Sequence, residues 1–459
     1  MTKLASSFSA GTDSPGLHAV NSAEIEMART LLLAGRMAEA IRMCNAMLER
    51  APENGEILNL LGMAAIAGGD RKTGIESFHR AVRSDPENAV TYHNLGLAHR
   101  AEGNWTDALQ AFRQALSLAP DSFVSRLNGA QALERLGRNE DALRGYFGAI
   151  RTAQAKGQWL NGASVSAGLR PLVEHAMAFV NRGRRRLFSE LLAPLRRRYG
   201  SAAMQRVEAC LAIYLGERRA DYPDPRQRPN FLYFPSLPCG PYLPRTLFPW
   251  VDDFEMRTPA IVAELLSLIP QADTREAVFG TDDLERANLR GELGRPSWEG
   301  YYFYRHGVIN ERNCANCPET MQALKLSPLV QIRDHGPEVL FSLFSPDTHL
   351  LPHRGVTNAR VVAHLPLIIP ENCALRVGGE EHRWSAGHCV FFDDTYEHEA
   401  WNRSRELRAV LIFDLWNPYL TEIERHAVTD LIEAIGDFRA ACDRDEAPSA
   451  AADVAMPAR

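Results

Sequence analysis

Small and aromatic residues recur along the first third of this chain with a single period. Pro52, Pro86 and Pro120 stand 34 residues apart, and Gly62 and Gly96 keep the same spacing. So do Gly74, Ala108 and Ala142, then Phe78, Phe112 and Tyr146, then Ala81, Ala115 and Ala149. Ala28, Ala40 and Met47 occupy the matching positions of an earlier copy. Small residues where two helices cross, a ring filling the gap and a proline ending the second helix describe one helical hairpin. Such a hairpin cannot bury its apolar face alone, so copies stack. The pattern predicts about four hairpins over residues 21–156, after a polar N-terminus (residues 1–20) expected to be disordered. From residue 157 to 230 the period is lost while helical spacing persists, as in "LRPLVEHAMAFV", which predicts a helical connector.

Several positions keeping one period at once resemble the tetratricopeptide repeat. That resemblance implies a curved solenoid whose concave surface holds a protein or peptide. A spacer or dimerisation arm is the other reading. The segment "YPDPRQRPNFLYFPSLPCGPYLPR" then ends helices by its proline density and sets a domain boundary near residue 230. Beyond residue 338 the period changes. "EVLFSLFS", "ARVVAHLPLII", "ALRVG", "HCVFF" and "LRAVLIFDLW" are short, β-branched or aromatic, and divided by turn residues. Strands without intervening helices predict a sandwich or barrel such as a jelly roll. Helices should flank it, at "TPAIVAELLSLI" and "LTEIERHAVTDLIEAIGDF". The fold class is therefore multidomain, α plus β: a helical solenoid, then a β-barrel domain over residues 231–442, then a disordered tail over 443–459.

Composition narrows the function classes. The chain is 45% hydrophobic and 24% charged, and its net charge of −6 argues against a protein built to bind nucleic acid. Basic runs such as "RGRRR" read as solvated helix faces. The first residues lack the apolar core of a signal peptide, and no apolar run is long enough to cross a bilayer, so the expected location is the cytoplasm, with no membrane partner. Eight scattered cysteines suit reduced thiols. Cys314 and Cys317, in "CANC", have metal-ligand spacing, but a structural zinc needs a second such pair and none appears.

Of fourteen histidines, His349, His353, His364 and His398 fall where chemistry is plausible. A histidine followed two places on by an acid is a familiar holder of ferrous iron; after His353 that place is Gly355. His398 follows 45 residues later in "DDTYEHEAW", and Arg408 opens the apolar strand ten residues beyond that. A charge there needs a partner if it faces inward. Two neutral imidazoles can bind iron(II), and a guanidinium can grip the far carboxylate of 2-oxoglutarate while the keto acid chelates the metal. In an octahedral site this still leaves positions for water and O2, so a missing carboxylate does not forbid the reaction. Asp394 is a candidate acceptor orienting a water at the metal. Alternation places Arg360, Val362 and His364 on one strand face.

"HRGVTNARVVAHLPLIIP", "GHCVFFDDTYEHEAWNRSRELRAVLIFDLWNP" and the earlier "YYFYRHG" together resemble the aspartyl/asparaginyl β-hydroxylase family over roughly residues 231–425. The resemblance implies a double-stranded β-helix, iron(II) held by two histidines without a carboxylate, and 2-oxoglutarate and O2 as co-substrates. His353 and His398 match the iron ligands, Arg408 the arginine that holds 2-oxoglutarate, and Ser342 and His364 residues that assist it. Gly355 then looks native to the site. Well-known members carry a second arginine where this chain has Val362, and Arg360 is the residue that could stand in for it. Trp298 and Tyr301 read either as a substrate mouth or as core aromatics. The implied reaction hydroxylates the β-carbon of an aspartyl or asparaginyl residue in a peptide, protein or carrier-bound substrate. Two alternatives stay open: a non-catalytic adaptor with a retired barrel, and a hydroxylase of a free amino acid or other small molecule.

Overall fold

The computed structural model describes residues 20–161, 164–270, 275–278, 288–291 and 296–444. The ends expected to be disordered lie outside these residues, except for Val20 and for residues 443 and 444, which close a helix, Glu422–Arg444. Contacts divide the chain into two compact units, Met1–Gly183 with Phe438–Arg459, and Arg184–Asp437.

Among its described residues the first unit opens with four helix pairs, α1 Ser22–Leu33, α2 Met37–Arg50, α3 Gly55–Ala67, α4 Arg71–Ser84, α5 Ala89–Ala101, α6 Trp105–Leu118, α7 Phe123–Arg135 and α8 Asn139–Ala155, and then holds the start of the long helix Arg170–Tyr214. Side chains of Asn21, Asn54, Asn88 and Ser122 accept from backbone N–H groups at the starts of α1, α3, α5 and α7, which satisfies donors the helix cannot pair itself. Gly35, Gly69, Gly103 and Gly137 close the first helix of each pair at φ of 75°, 90°, 77° and 77°, a region open to glycine. They too keep the 34-residue period. At the crossings the repeat becomes physical. A Cβ on Gly62 or Gly96 would lie 2.6 Å from the ring of Phe78 or Phe112. The glycine makes room for the ring, which is buried in each case. A cavity of about 780 Å³ opens between α5, α7 and residues 168–175, lined by Arg100, Trp105, Asn128, Gln131 and His175.

The second unit is built on two antiparallel sheets. The larger has the strand order β1-β11-β8-β13-β6-β4-β2, with β5 added beside β4, and the smaller has the order β10-β9-β12-β7-β3. These strands are β1 Tyr242–Leu243, β2 Glu276–Ala277, β3 Leu289–Arg290, β4 Trp298–Arg305, β5 Val308–Ile309, β6 Val339–Phe344, β7 Thr348–His353, β8 Arg360–Ile368, β9 Cys373–Val377, β10 Glu380–His382, β11 Val390–Phe392, β12 His398–Asn402 and β13 Arg408–Trp416. The sandwich expected from the strand pattern is present, with helices flanking it.

Alternation assigns each face of the larger sheet a task. Phe341, Leu343, Val361, Ala363, Leu365, Leu411 and Phe413 point to one side, packed with Phe254, Ile261 and Leu265 from the helices Val251–Glu255 and Thr258–Leu268. Phe344, Val362 and Phe392 point to the other, against Leu350, Leu375, Val377 and Ala400 of the smaller sheet. Residues between the sheets are therefore those that a ligand could meet. The boundary expected near residue 230 lies inside this unit. Met204, Val207 and Leu211 pack with Leu232, Phe234, Val428 and Ile432, which ties the end of the connector to the strand domain. Among the described residues no helix is long and apolar enough to cross a membrane.

The glycine at the hairpin crossing gives a direct test. Gly96→Ala should destabilise the repeat unit by about 1–3 kcal/mol through overpacking against Phe112, read as a lowered urea midpoint. An unchanged midpoint would show that the crossing has slack.

Candidate active site

β7 and β12 run antiparallel with His398 directly opposite His353. The two ring centroids are 4.0 Å apart at an interplanar angle of 53°. Each ring is oriented by its own strand. Nδ1 of His353 donates to the Leu351 carbonyl at 2.9 Å, and Nδ1 of His398 donates to the Tyr396 carbonyl at 3.1 Å. A carbonyl can only accept, so the neutral rings carry their lone pairs on Nε2. Burial lowers the His353 pKa, and it takes His398 to about 3, with the His353 ring adding to the shift. Both rings are thus held neutral, the form that binds a metal.

The β7–β12 pairing also explains why a nearby histidine does not join them. His398 pairs with His353, whereas Ala400 pairs with Leu350, so β7 has one residue more than β12 between these pairs. That irregularity reverses the alternation. His353 lies beside His398 on the inner face of the smaller sheet, while His349 turns to the opposite face, its Nε2 at 2.7 Å from Glu399 Oε2. Among the described residues no three histidine, cysteine, aspartate or glutamate side chains gather as a metal cage. Among the described residues the two imidazoles have no third such side chain gathered with them.

Gly355 lacks a side chain for a reason the structure makes plain. A Cβ there would lie 2.1 Å from Asp394 Cγ and Oδ2. The Asp394 carboxylate occupies that space, and its backbone carbonyl accepts from the Gly355 N–H at 2.6 Å. Asp394 Oδ2 accepts from Arg360 Nη2 at 3.1 Å, and Arg360 Nη1 reaches Asp414 Oδ2 at 2.6 Å. Burial pushes the Asp394 carboxyl up and the Arg360 guanidinium pulls it partly back. Asp394 Oδ1 is buried without a hydrogen-bond partner. Arg360, the residue that could stand in for the arginine absent at Val362, is engaged by two carboxylates. Val362 packs into the apolar lining between the sheets.

Deeper between the sheets lies Arg408, 1% exposed, at the start of β13. Burial lowers its pKa to about 9. Among the described residues no carboxylate pairs with it; Cys373, whose charge would favour its own, is a thiol that burial raises to about 11. Two rings hold it instead, Phe344 with its centroid 4.6 Å and Trp384 with its centroid 4.3 Å from the guanidinium carbon. Ser342 Oγ accepts from Arg408 Nη1 at 3.2 Å and from Trp298 Nε1 at 2.9 Å. With both lone pairs engaged, the hydroxyl proton is left to donate. Arg408 Nε, His364 Nδ1 and Trp384 Nε1 are buried without partners. Burial lowers the His364 pKa well below its ordinary value, with Arg408 adding to the shift. The result is a pocket with one cation and a surplus of N–H and O–H donors. Its chemistry suits a carboxylate.

Of the residues singled out in sequence, His353 and His398 adjoin on the smaller sheet, and Ser342, His364 and Arg408 line the interior face of the larger one. Trp298 joins them through Ser342. Tyr301 lies in the helix-covered core. Cys314 and Cys317 are free, Cys317 buried and raised by burial to about 12. The sequence reading missed Phe344 and Trp384. Trp384 sits in the polar stretch "EEHRWSAGH", where a lone buried aromatic was the available signal.

Residues 255–418 match the family model described as Aspartyl/Asparaginyl beta-hydroxylase, and residues 25–89 and 89–122 match tetratricopeptide-repeat models. The human "Aspartyl/asparaginyl beta-hydroxylase" is 36% identical over 145 residues, 31% of this chain and 19% of that protein. The human "Aspartate beta-hydroxylase domain-containing protein 2" is 30% identical over 214 residues, 46% of this chain and 56% of that one. The Rhizobium tropici "Ornithine lipid ester-linked acyl 2-hydroxylase" is 32% identical over 190 residues, 41% and 64% respectively. The chain thus spans less than two thirds of the length of each of these relatives. It carries a hydroxylase-family domain joined to tetratricopeptide repeats.

Two substitutions test this reading of the pocket. Arg408→Met removes an uncompensated buried cation and should raise the stability of the ligand-free protein by about 1–4 kcal/mol; a lowered denaturation midpoint would mean the cation is already compensated. Gly355→Ala should displace Asp394 and destabilise by about 1–3 kcal/mol, measured in the same titration, with no change if Asp394 can move freely.

Proposed function

We propose that this chain is an iron(II)- and 2-oxoglutarate-dependent oxygenase that hydroxylates an unactivated carbon, the β-carbon of an aspartyl or asparaginyl residue in a peptide, protein or carrier-bound substrate. One observation carries the reading. A pair of neutral imidazoles with free Nε2 lone pairs shares the sandwich interior with a buried cation that has donors around it and no carboxylate partner.

The residues fit both groups. His353 and His398 would hold iron(II) through Nε2. Arg408, Ser342 and His364 would hold 2-oxoglutarate, with Arg408 on its far carboxylate. Bound together, iron and 2-oxoglutarate supply oxygen activation coupled to decarboxylation to succinate. The protein's part is positional. The Leu351 and Tyr396 carbonyls fix the two rings, so the ligands need no reorganisation when metal arrives. Asp394 Oδ1 presents an acceptor for a water or substrate N–H beside His353, and Arg360 keeps that carboxylate in place. Phe344, Val362 and Phe392 exclude bulk water from the reacting groups.

The substrate class rests on relatives that are named for aspartate or asparagine hydroxylation. The repeats support a polypeptide substrate or its carrier, held by the first unit and so delivered at high effective concentration. The cavity beside α5 and α7 is the surface proposed for that partner. Eight cysteines with no disulfide among the described residues support a reducing compartment such as the cytoplasm.

The test is an anaerobic incubation of the full chain with iron(II) and 2-oxoglutarate, followed by oxygen and succinate measurement, with candidate Asp- and Asn-containing peptides checked by mass for one added oxygen. Wild type should bind both and form succinate. His398→Ala should lose iron and at least about 100-fold in turnover. If neither iron nor 2-oxoglutarate binds, the oxygenase reading fails and the adaptor takes its place.

A further inference from the structure

Three buried polar atoms without partners belong to three side chains in mutual contact. Arg408 contributes Nε, His364 contributes Nδ1 and Trp384 contributes the indole Nε1. The Trp384 ring lies over the Arg408 guanidinium at 4.3 Å and its centroid is 5.9 Å from that of His364. The first two of these side chains already have a proposed part in holding the co-substrate. Trp384 has none, and neither its position in the polar connection between β10 and β11 nor its packing accounts for its N–H.

The geometry points to Trp384 as a co-substrate-binding residue, its indole N–H donating to the far carboxylate that Arg408 grips and its ring forming one wall of that carboxylate's pocket. This rests on the oxygenase reading and extends it to a residue that reading did not need.

Two arguments carry it. First, a buried donor is nearly always satisfied, because leaving one unpaired forfeits its hydrogen bond to water with nothing in return. A ring without an N–H would stack on the guanidinium with no donor to satisfy, so stacking alone gives no reason for an indole here. Second, a carboxylate offers about four acceptor directions, more than a guanidinium edge and one serine hydroxyl engage. A third donor on a neighbouring wall completes the set. The rings of Trp384 and Phe344 both lie beside the guanidinium, 4.3 and 4.6 Å from its central carbon, so the Trp384 indole adjoins whatever carboxylate Arg408 grips. A donor beside Arg408 acts on the far carboxylate, and so on the choice between a dicarboxylic keto acid and a shorter one.

The experiment titrates the anaerobic, iron(II)-loaded full chain with 2-oxoglutarate and with 2-oxobutanoate, which lacks the far carboxylate. Trp384→Phe keeps the aromatic wall and removes the donor. It should weaken 2-oxoglutarate binding roughly 10–100-fold and leave 2-oxobutanoate binding unchanged, so the preference between the two ligands shrinks. Trp384→Tyr, which keeps a ring and relocates the donor, gives the same comparison if the phenylalanine variant does not fold. Unchanged 2-oxoglutarate affinity in a folded variant overturns this inference alone, as does an equal weakening for both ligands, which would be a packing effect. Failure of the wild type to bind 2-oxoglutarate overturns the oxygenase reading and this inference with it.

Discussion

A guanidinium taken out of water without a carboxylate is the constraint around which the second unit is organised. Burying an unpaired charge is costly enough that proteins usually avoid it or pair it. Arg408 is held instead by induced and quadrupolar attraction from two rings and by one neutral hydroxyl. None of these removes the charge. They make its burial tolerable while leaving N–H groups unengaged, and an anion of matching shape is the species that would complete them.

The sandwich divides its labour by strand alternation. On β6, β8 and β13 the positions facing the helices are apolar, and the positions of the larger sheet facing the smaller one mix Ser342, His364 and Arg408 with Phe344, Val362 and Phe392. Stability therefore comes mainly from one face, and the other is free to carry polar groups that would weaken a core. On the smaller sheet the same logic is broken once, between Leu350 and His353. Without that irregularity His353 would share the outer face with His349, and no pair would form with His398.

The Asp394 carboxylate shows how a loop supplies what a neighbouring residue omits. It fills the space beside Gly355, but it is bound to Arg360, and Arg360 is bound to Asp414. The cation at this corner is thereby paired within the protein. At Arg408 it is not. The contrast separates a cation paired with carboxylates from one that has only rings and a hydroxyl around it.

The amino-acid sequence by itself determined the hairpin repeat, because helix crossing imposes a local size rule at a fixed spacing. It also determined the existence of strands after residue 338, through period-two apolar runs. His353, His398 and Arg408 stood out in it because charged or metal-binding side chains beside apolar strands need a reason. It did not reveal β7 or β12 as strands, since they are short and carry polar side chains on the inner face, nor β4, whose continuous aromatic run is buried on both faces and so lacks the alternation that marks a strand. Only the tertiary structure decided that Arg360 is paired away from the pocket, that Trp384 reaches Arg408 and that His349 turns outward. Each of these depends on contacts across two sheets or on a one-residue irregularity, and neither leaves a period in the chain that could be read.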